Sequence, residues 1–272
     1  MSAEATAAAG RELHRSWFLR VMGLLIVVAW ITLWLWAGSP YGRYLDHGDW
    51  TQIGLAGAIC AALPAGEVLL PALLYVAGWV LMLTAMMLPT TLPLLEIYRR
   101  LVRRRTDKAL LLGLVISGYL LAWVGFALAA HGLDLALYAA VSQSPWLIFN
   151  GWAIGAAGLA LAGVFRFSRL HYACLDKCPL PLGFVMEHWG HGDARRQALR
   201  LGLRHGLFCV GCCWALMLLM FVVGTGSVGW MLALGAAMAV EKNHAWGRKL
   251  SQPLGLLLLC AATVVIADNT LL

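Results

Sequence analysis

The segment RHGLFCVGCCWALMLLM, residues Arg204–Met220, decides how the chain is interpreted, because it places a histidine and three cysteines at the start of an apolar helix. A helix turns by about 100° per residue, so these four side chains share roughly a quarter of its circumference. They are His205, Cys209, Cys212 and Cys213. Imidazole and thiolate groups on one face are soft ligands that suit copper(I) or zinc. The competing interpretation is that buried cysteines serve only as small apolar side chains.

The composition around this segment is that of a polytopic membrane protein. Of the 272 residues, 61% are hydrophobic and only 12% are charged, whereas soluble domains carry about 25% charged residues. A helix needs about 20 apolar residues to cross a bilayer, and seven runs approach that length. They cover residues 17–37, 70–95, 109–130, 146–167, 203–224, 227–242 and 251–270. We therefore predict an all-α fold, a bundle of about seven transmembrane helices that forms a single domain over residues 1–272.

The basic residues predict the orientation of this bundle. With seven helices, nineteen of the twenty Lys and Arg residues fall on the side of the N-terminus, and only Arg43 falls on the other. Cytoplasmic segments carry such an excess, which predicts a cytoplasmic N-terminus in a bacterial inner membrane, with the lipid bilayer as a partner. The same distribution accounts for the net charge of +7 without a nucleic-acid partner. The run 51–66 is too short to cross and is predicted to be interfacial or re-entrant on the outer side.

A second group of ligand residues lies in the predicted cytoplasmic loop 168–202. Cys174 and Cys178 are four residues apart, so two thiols share one face of a helical turn, and His188 follows in the same loop. Cytoplasmic thiols stay reduced and are therefore open to a metal. By the order of the helices, this loop enters the bundle at the same depth as the cysteines of residues 204–220. We therefore predict that the two cysteine groups meet near the inner surface.

Two other features of the apolar runs are ambiguous. Met86 lies on the second run, beside Pro89 and Pro93, each of which removes a backbone donor and opens the helix. Its thioether is either a further ligand or a filler of the core. The adjacent charges Glu241 and Lys242 end the sixth run. They belong to a functional interior if they face the bundle, or to an ordinary membrane surface if they do not.

The chain resembles a bacterial family of predicted metal-binding integral membrane proteins with no assigned activity. The matching elements are TAMMLPTTLP (84–93), CLDKCPLPLGF (174–184), HW and a glycine (188–190), RHGLFCVGCCWALM (204–217) and EK (241–242). These markers occur in order over about 75–245. The resemblance implies a multi-span membrane fold and a metal site, and it implies no particular reaction.

The sequence thus favours an integral membrane protein that binds copper or zinc near the cytoplasmic face. Its role would be metal handling or metalloenzyme assembly, with a metallochaperone or a metalloenzyme as partner. The candidate ligands are Cys174, Cys178, His205, Cys209, Cys212, Cys213, Met86 and His188.

Two alternatives stay open. One is a membrane thiol-disulfide oxidoreductase that cycles Cys209 and Cys212. The other is a transporter whose path is lined by the proline-containing second helix and by Glu241 and Lys242.

Overall fold

Every regular element that the structure describes is helical, which confirms the all-α prediction for that part of the chain. The structure is a computed structural model, and it describes residues 20–36, 38, 69–178, 183, 185–186, 192–223, 228–244 and 246–271. The predicted interfacial run 51–66 and His188 lie outside these residues. The helices are α1 (Arg20–Trp36), α2 (Leu69–Leu101), α3 (Lys108–Gln143), α4 (Pro145–Phe149), α5 (Trp152–Phe165), α6 (Arg169–Leu175), α7 (Ala194–Val223), α8 (Val228–Asn243) and, after a 3-10 turn (Gly247–Leu250), α9 (Ser251–Leu271).

Four of the described helical segments are long and apolar enough to cross a membrane. They are Val80–Leu101, Lys108–Ala130, Ala194–Leu219 and Gly247–Thr270. The pair α5 and α6, bent by 64° at the break between them, would make a fifth. The first and sixth predicted spans correspond to α1 and α8, which are shorter helices. The count of seven spans and the cytoplasmic N-terminus therefore stay predictions.

Several helices extend beyond the apolar runs that predicted them. Helix α7 begins at Ala194 instead of residue 203, and α3 continues to Gln143. The predicted loop 168–202 contains α6 and the first turns of α7. Hydropathy marks only the apolar part of a helix, whereas the polar turns at its end form the same backbone hydrogen bonds.

Helix α7 occupies the centre of the bundle, where α3 packs along it and α5 and α6 also contact it. Glycines make the α3–α7 contact very close. A Cβ atom built on Gly118 would lie 2.2 Å from the carbonyl oxygen of Leu199, and one on Gly202 would lie 2.0 Å from that of Val115. Small residues let helix backbones approach in this way. The contact holds Tyr119 of α3 beside the cysteines of α7.

Replacing Gly202 by alanine is expected to lower the free energy of unfolding by about 3 kcal/mol, because the new methyl group meets rigid backbone. Gly113→Ala is the matched control on α3, since a Cβ there meets nothing within 4 Å, and it is expected to stabilise the helix by up to about 1 kcal/mol. Unfolding by a denaturing detergent measures both variants. Equal stabilities for the two would contradict this account of the contact.

Helix α2 runs through both of its prolines, and other helices bind the carbonyl groups that the prolines leave open. Pro89 has no N–H to give to Ala85, and Pro93 has none to give to Pro89. The indole Nε1 of Trp30 on α1 donates to the carbonyl oxygen of Ala85 at 3.2 Å. The amide Nδ2 of Asn243 on α8 donates to that of Pro89 at 3.4 Å. The prolines thus create the hydrogen bonds that join α2 to α1 and α8.

Candidate metal centre

The predicted ligand face of α7 points into the bundle. His205, Cys209, Cys212 and Cys213 are all buried. The thiols of Cys212 and Cys213 both donate to the carbonyl oxygen of Cys209, at 3.1 and 2.8 Å. The ring of His205 lies against that of Tyr119, with centroids 5.9 Å apart. The periodicity of one segment therefore gathers three thiols in the buried interior.

The bend between α5 and α6 brings the second cysteine pair to the same place. Ser168 begins α6, where its Oγ accepts a hydrogen bond from the backbone N–H of His171 at 3.1 Å. Cys178, just after α6, has its Sγ atom 4.0 Å from that of Cys212. The Sγ of Cys174 lies against Gly211, where a built Cβ would approach it to 2.6 Å. Glycine is needed at this position because it leaves room for the sulfur.

Lys242 on α8 extends its ammonium group into the thiols. Its Nζ donates to the Sγ of Cys209 at 2.8 Å and to that of Cys213 at 3.5 Å, and the whole residue is only 2% exposed. The hydroxyl of Tyr119 lies 3.3 Å from the same Cys209 sulfur. A buried ammonium requires an anionic partner. The Cys209 sulfur is placed to be that partner as a thiolate.

Glu241, the neighbour of Lys242, belongs to a separate buried network. Its carboxylate accepts hydrogen bonds from the Arg166 guanidinium and the Ser251 hydroxyl. The Nε2 atom of His171 lies 3.2 Å from the Ser251 Oγ and 3.4 Å from the Glu241 carboxylate. The Nδ1 of the same ring donates to the carbonyl oxygen of Cys212 at 2.9 Å. The network therefore braces α6, α8 and the thiol-bearing turn of α7 against one another.

The remaining candidates occupy other positions. Met86 is buried and packs against Gly235 of α8, which fits its role as core filler, while Cys260 is exposed on α9. His188 lies outside the described residues. Sequence reasoning did not assign Tyr119, Arg166 and His171 to the site. A charged residue within an apolar run, such as Arg166, was the available signal.

The sulfur geometry fits a metal held by two thiolates. Two metal–sulfur bonds of about 2.3 Å can span at most about 4.6 Å between the sulfurs, so the 4.0 Å between the Cys178 and Cys212 sulfurs is short enough for one metal ion to bridge. Within the described ranges, no three His, Cys, Asp or Glu side chains already form a group that would hold a metal ion. The donor set is soft and rich in sulfur, so it suits copper(I), which accepts few ligands.

The bundle is all-helical in its described part, and it gathers buried thiols in its interior. The chain belongs to the PpoB2 copper chaperone family, whose model matches residues 76–265. The matched region contains all of Cys174, Cys178, Cys209, Cys212 and Cys213. Comparisons with curated proteins and with solved structures gave no match.

Proposed function

We propose that this protein is a membrane copper chaperone that binds copper(I) through the inner thiols and passes it to a metalloenzyme or another metallochaperone. The observation that carries the proposal is the convergence of α6, α7 and α8 in a member of a copper chaperone family. Cys178, Cys209, Cys212 and Cys213 lie on or next to these helices, with the ammonium of Lys242 among their sulfurs. The family match supports neither the oxidoreductase nor the transporter hypothesis.

The distribution of polar groups supports a membrane location. Large apolar side chains cover the outer faces, as at Leu121, Phe149 and Val264, which are 56%, 70% and 65% exposed. Charged groups such as Arg166 and Lys242 lie inside. An arrangement with apolar side chains outside and charged side chains inside suits a lipid environment, where polar groups must find partners within the protein.

The position of the arginines supports a site near the cytoplasmic face of a bacterial inner membrane. The end of α2 and the start of α7 both contribute to one buried apolar cluster, which contains Tyr98 and Leu201, so the basic residues of both helix ends lie on one side of the bundle. They are Arg99, Arg100, Arg195 and Arg196. Cys209 follows Leu201 by eight residues, or about 12 Å along the helix. The thiols thus lie within a short distance of the side that the basic residues assign to the cytoplasm.

Anaerobic loading with copper(I) tests the proposal. The purified wild-type protein is expected to retain about one copper ion per chain, because the thiols form one cluster. The triple variant Cys209/Cys212/Cys213→Ser is expected to retain none. Cys260→Ser is the matched control, since this thiol is exposed and outside the cluster, and it should bind as the wild type does. Elemental analysis after desalting gives the counts.

Two results would overturn the proposal. One is equal copper in the wild type and the triple variant. The other is a wild-type protein that retains zinc and no copper under the same conditions.

A further inference from the structure

We propose that Lys242 is a built-in counter-cation that makes the site selective for a monovalent metal held by two thiolates. This inference rests on the proposed function, and it adds a selectivity-determining residue that is not itself a ligand. It starts from the position of the ammonium, which is buried among sulfurs and touches two of them.

The backbone around Lys242 is held on both sides. Its predecessor Glu241 is bound by Arg166, which directly follows α5, and its successor Asn243 is bound to the carbonyl oxygen of Pro89 on α2. Three consecutive side chains of α8 therefore engage three different parts of the bundle. This arrangement fixes the position from which the lysine reaches the thiols, so the ammonium is a resident part of the site.

The charges inside the site balance when copper(I) binds. Before binding, the Lys242 ammonium and the Cys209 thiolate sum to zero. Copper(I) brings one positive charge and binds the Cys178 and Cys212 sulfurs as thiolates. Of the two protons that these thiols give up, one passes to the Cys209 thiolate and one leaves for water, so one metal ion enters and one proton departs. Two thiolates, one copper(I) and one ammonium again sum to zero. Arg166 and Glu241 balance each other separately.

Other ways of filling the two-sulfur site leave a net charge in a buried place. Zinc(II) would need a third thiolate to reach neutrality beside the ammonium, and the described residues hold no group of three ligands placed for a metal ion. A third thiolate around copper(I) would make the site negative, and zinc(II) on the same two thiolates would make it positive. Uncompensated charge is costly in an interior of low dielectric constant. The lysine therefore favours copper(I) on two thiolates over copper(I) on three thiolates and over zinc(II) on two thiolates. Without the lysine, two thiolates and zinc(II) would be neutral.

The test compares copper(I) and zinc(II) binding by Lys242→Met and by the wild type, using competition with a chelator of known affinity for each metal. We expect copper(I) affinity to fall by about tenfold or more, because the bound two-thiolate complex loses its counter-cation. Zinc(II) affinity should rise by a similar factor. Lys242→Arg keeps the charge and should retain the wild-type preference. Lys249→Met removes an exposed lysine and is the matched control.

The copper(I) and zinc(II) affinities of Lys242→Met are expected to change in opposite directions, which distinguishes a change in metal selectivity from a loss of folding. An equal loss of both metals in Lys242→Met, or an unchanged ratio, would overturn the inference. X-ray absorption of the copper-loaded wild type gives a check that needs no variant, since it should show two sulfur ligands, and three or four would overturn the inference. A wild type that binds no copper(I) would instead overturn the proposed function.

Discussion

Glu241→Ala is expected to destabilise the folded protein by about 3–5 kcal/mol, because it leaves a buried guanidinium without a counter-charge. Arg166 and Glu241 are both almost fully buried, and their side chains form an ion pair between the residue that follows α5 and α8. The same carboxylate accepts from Ser251. Removing one partner of such a pair costs far more than the pair contributes, since the remaining charge stays desolvated.

The stability is measured by unfolding in mixed micelles with increasing denaturing detergent. Glu96→Ala is the matched control, because Glu96 pairs with Arg99 and Arg100, which are partly exposed. Partly exposed ion pairs contribute about 0–1 kcal/mol. The double variant Arg166→Met/Glu241→Leu removes both charges and should recover most of the loss. If Glu241→Ala were no less stable than Glu96→Ala, the buried network would not have the role given to it here.

Cys212→Ser is expected to lower copper(I) affinity by more than about 100-fold, since changes to outer-shell partners alone cost about 10–100-fold at metal sites. The Cys212 sulfur connects the two cysteine groups, because it lies 4.0 Å from the Cys178 sulfur. Serine replaces a soft sulfur by a hard oxygen of similar shape, so the helix is retained while the affinity for copper(I) is lost.

Two further variants test whether the loss of copper(I) affinity is specific to the Cys178–Cys212 pair. Cys178→Ser should be as deficient as Cys212→Ser, because it removes the other sulfur of the pair. Cys174→Ser should lose less, since the Cys174 sulfur packs against Gly211. Competition with a copper(I) chelator gives all three affinities. A Cys174 variant weaker than the Cys212 variant would show that the metal uses a different pair.

The all-helical fold and the shared face of α7 were predictable from the sequence, because both depend on local periodicity. His205 and the three α7 cysteines recur at helical spacing, and all four are buried. The approach of Cys178 to Cys212 was predictable from their depth in the membrane, since the order of the apolar runs places both residues near the same end of the bundle. The ends of the helices were not predictable, because the polar turns at a helix end carry no hydropathic signal.

The partners of the charged residues were not predictable from the sequence. Glu241 and Lys242 are adjacent at the end of an apolar run, which left a functional interior and an ordinary membrane surface equally open. In the structure they reach different parts of the bundle, Glu241 to Arg166 and Lys242 to the thiols. Which partner a buried charge reaches depends on how helices distant in the chain pack against one another. The close glycine contacts between α3 and α7 depend on the same packing.

The carbonyl group that Pro93 leaves open, that of Pro89, has a mechanical consequence for the thiol site. Asn243, which binds that carbonyl, directly follows Lys242 on α8. A rotation of α8 that withdraws the ammonium from the sulfurs also pulls Asn243 away from α2. The lysine–thiol contacts and the contact between α8 and α2 are therefore coupled, and a movement of α8 that breaks one is expected to break the other.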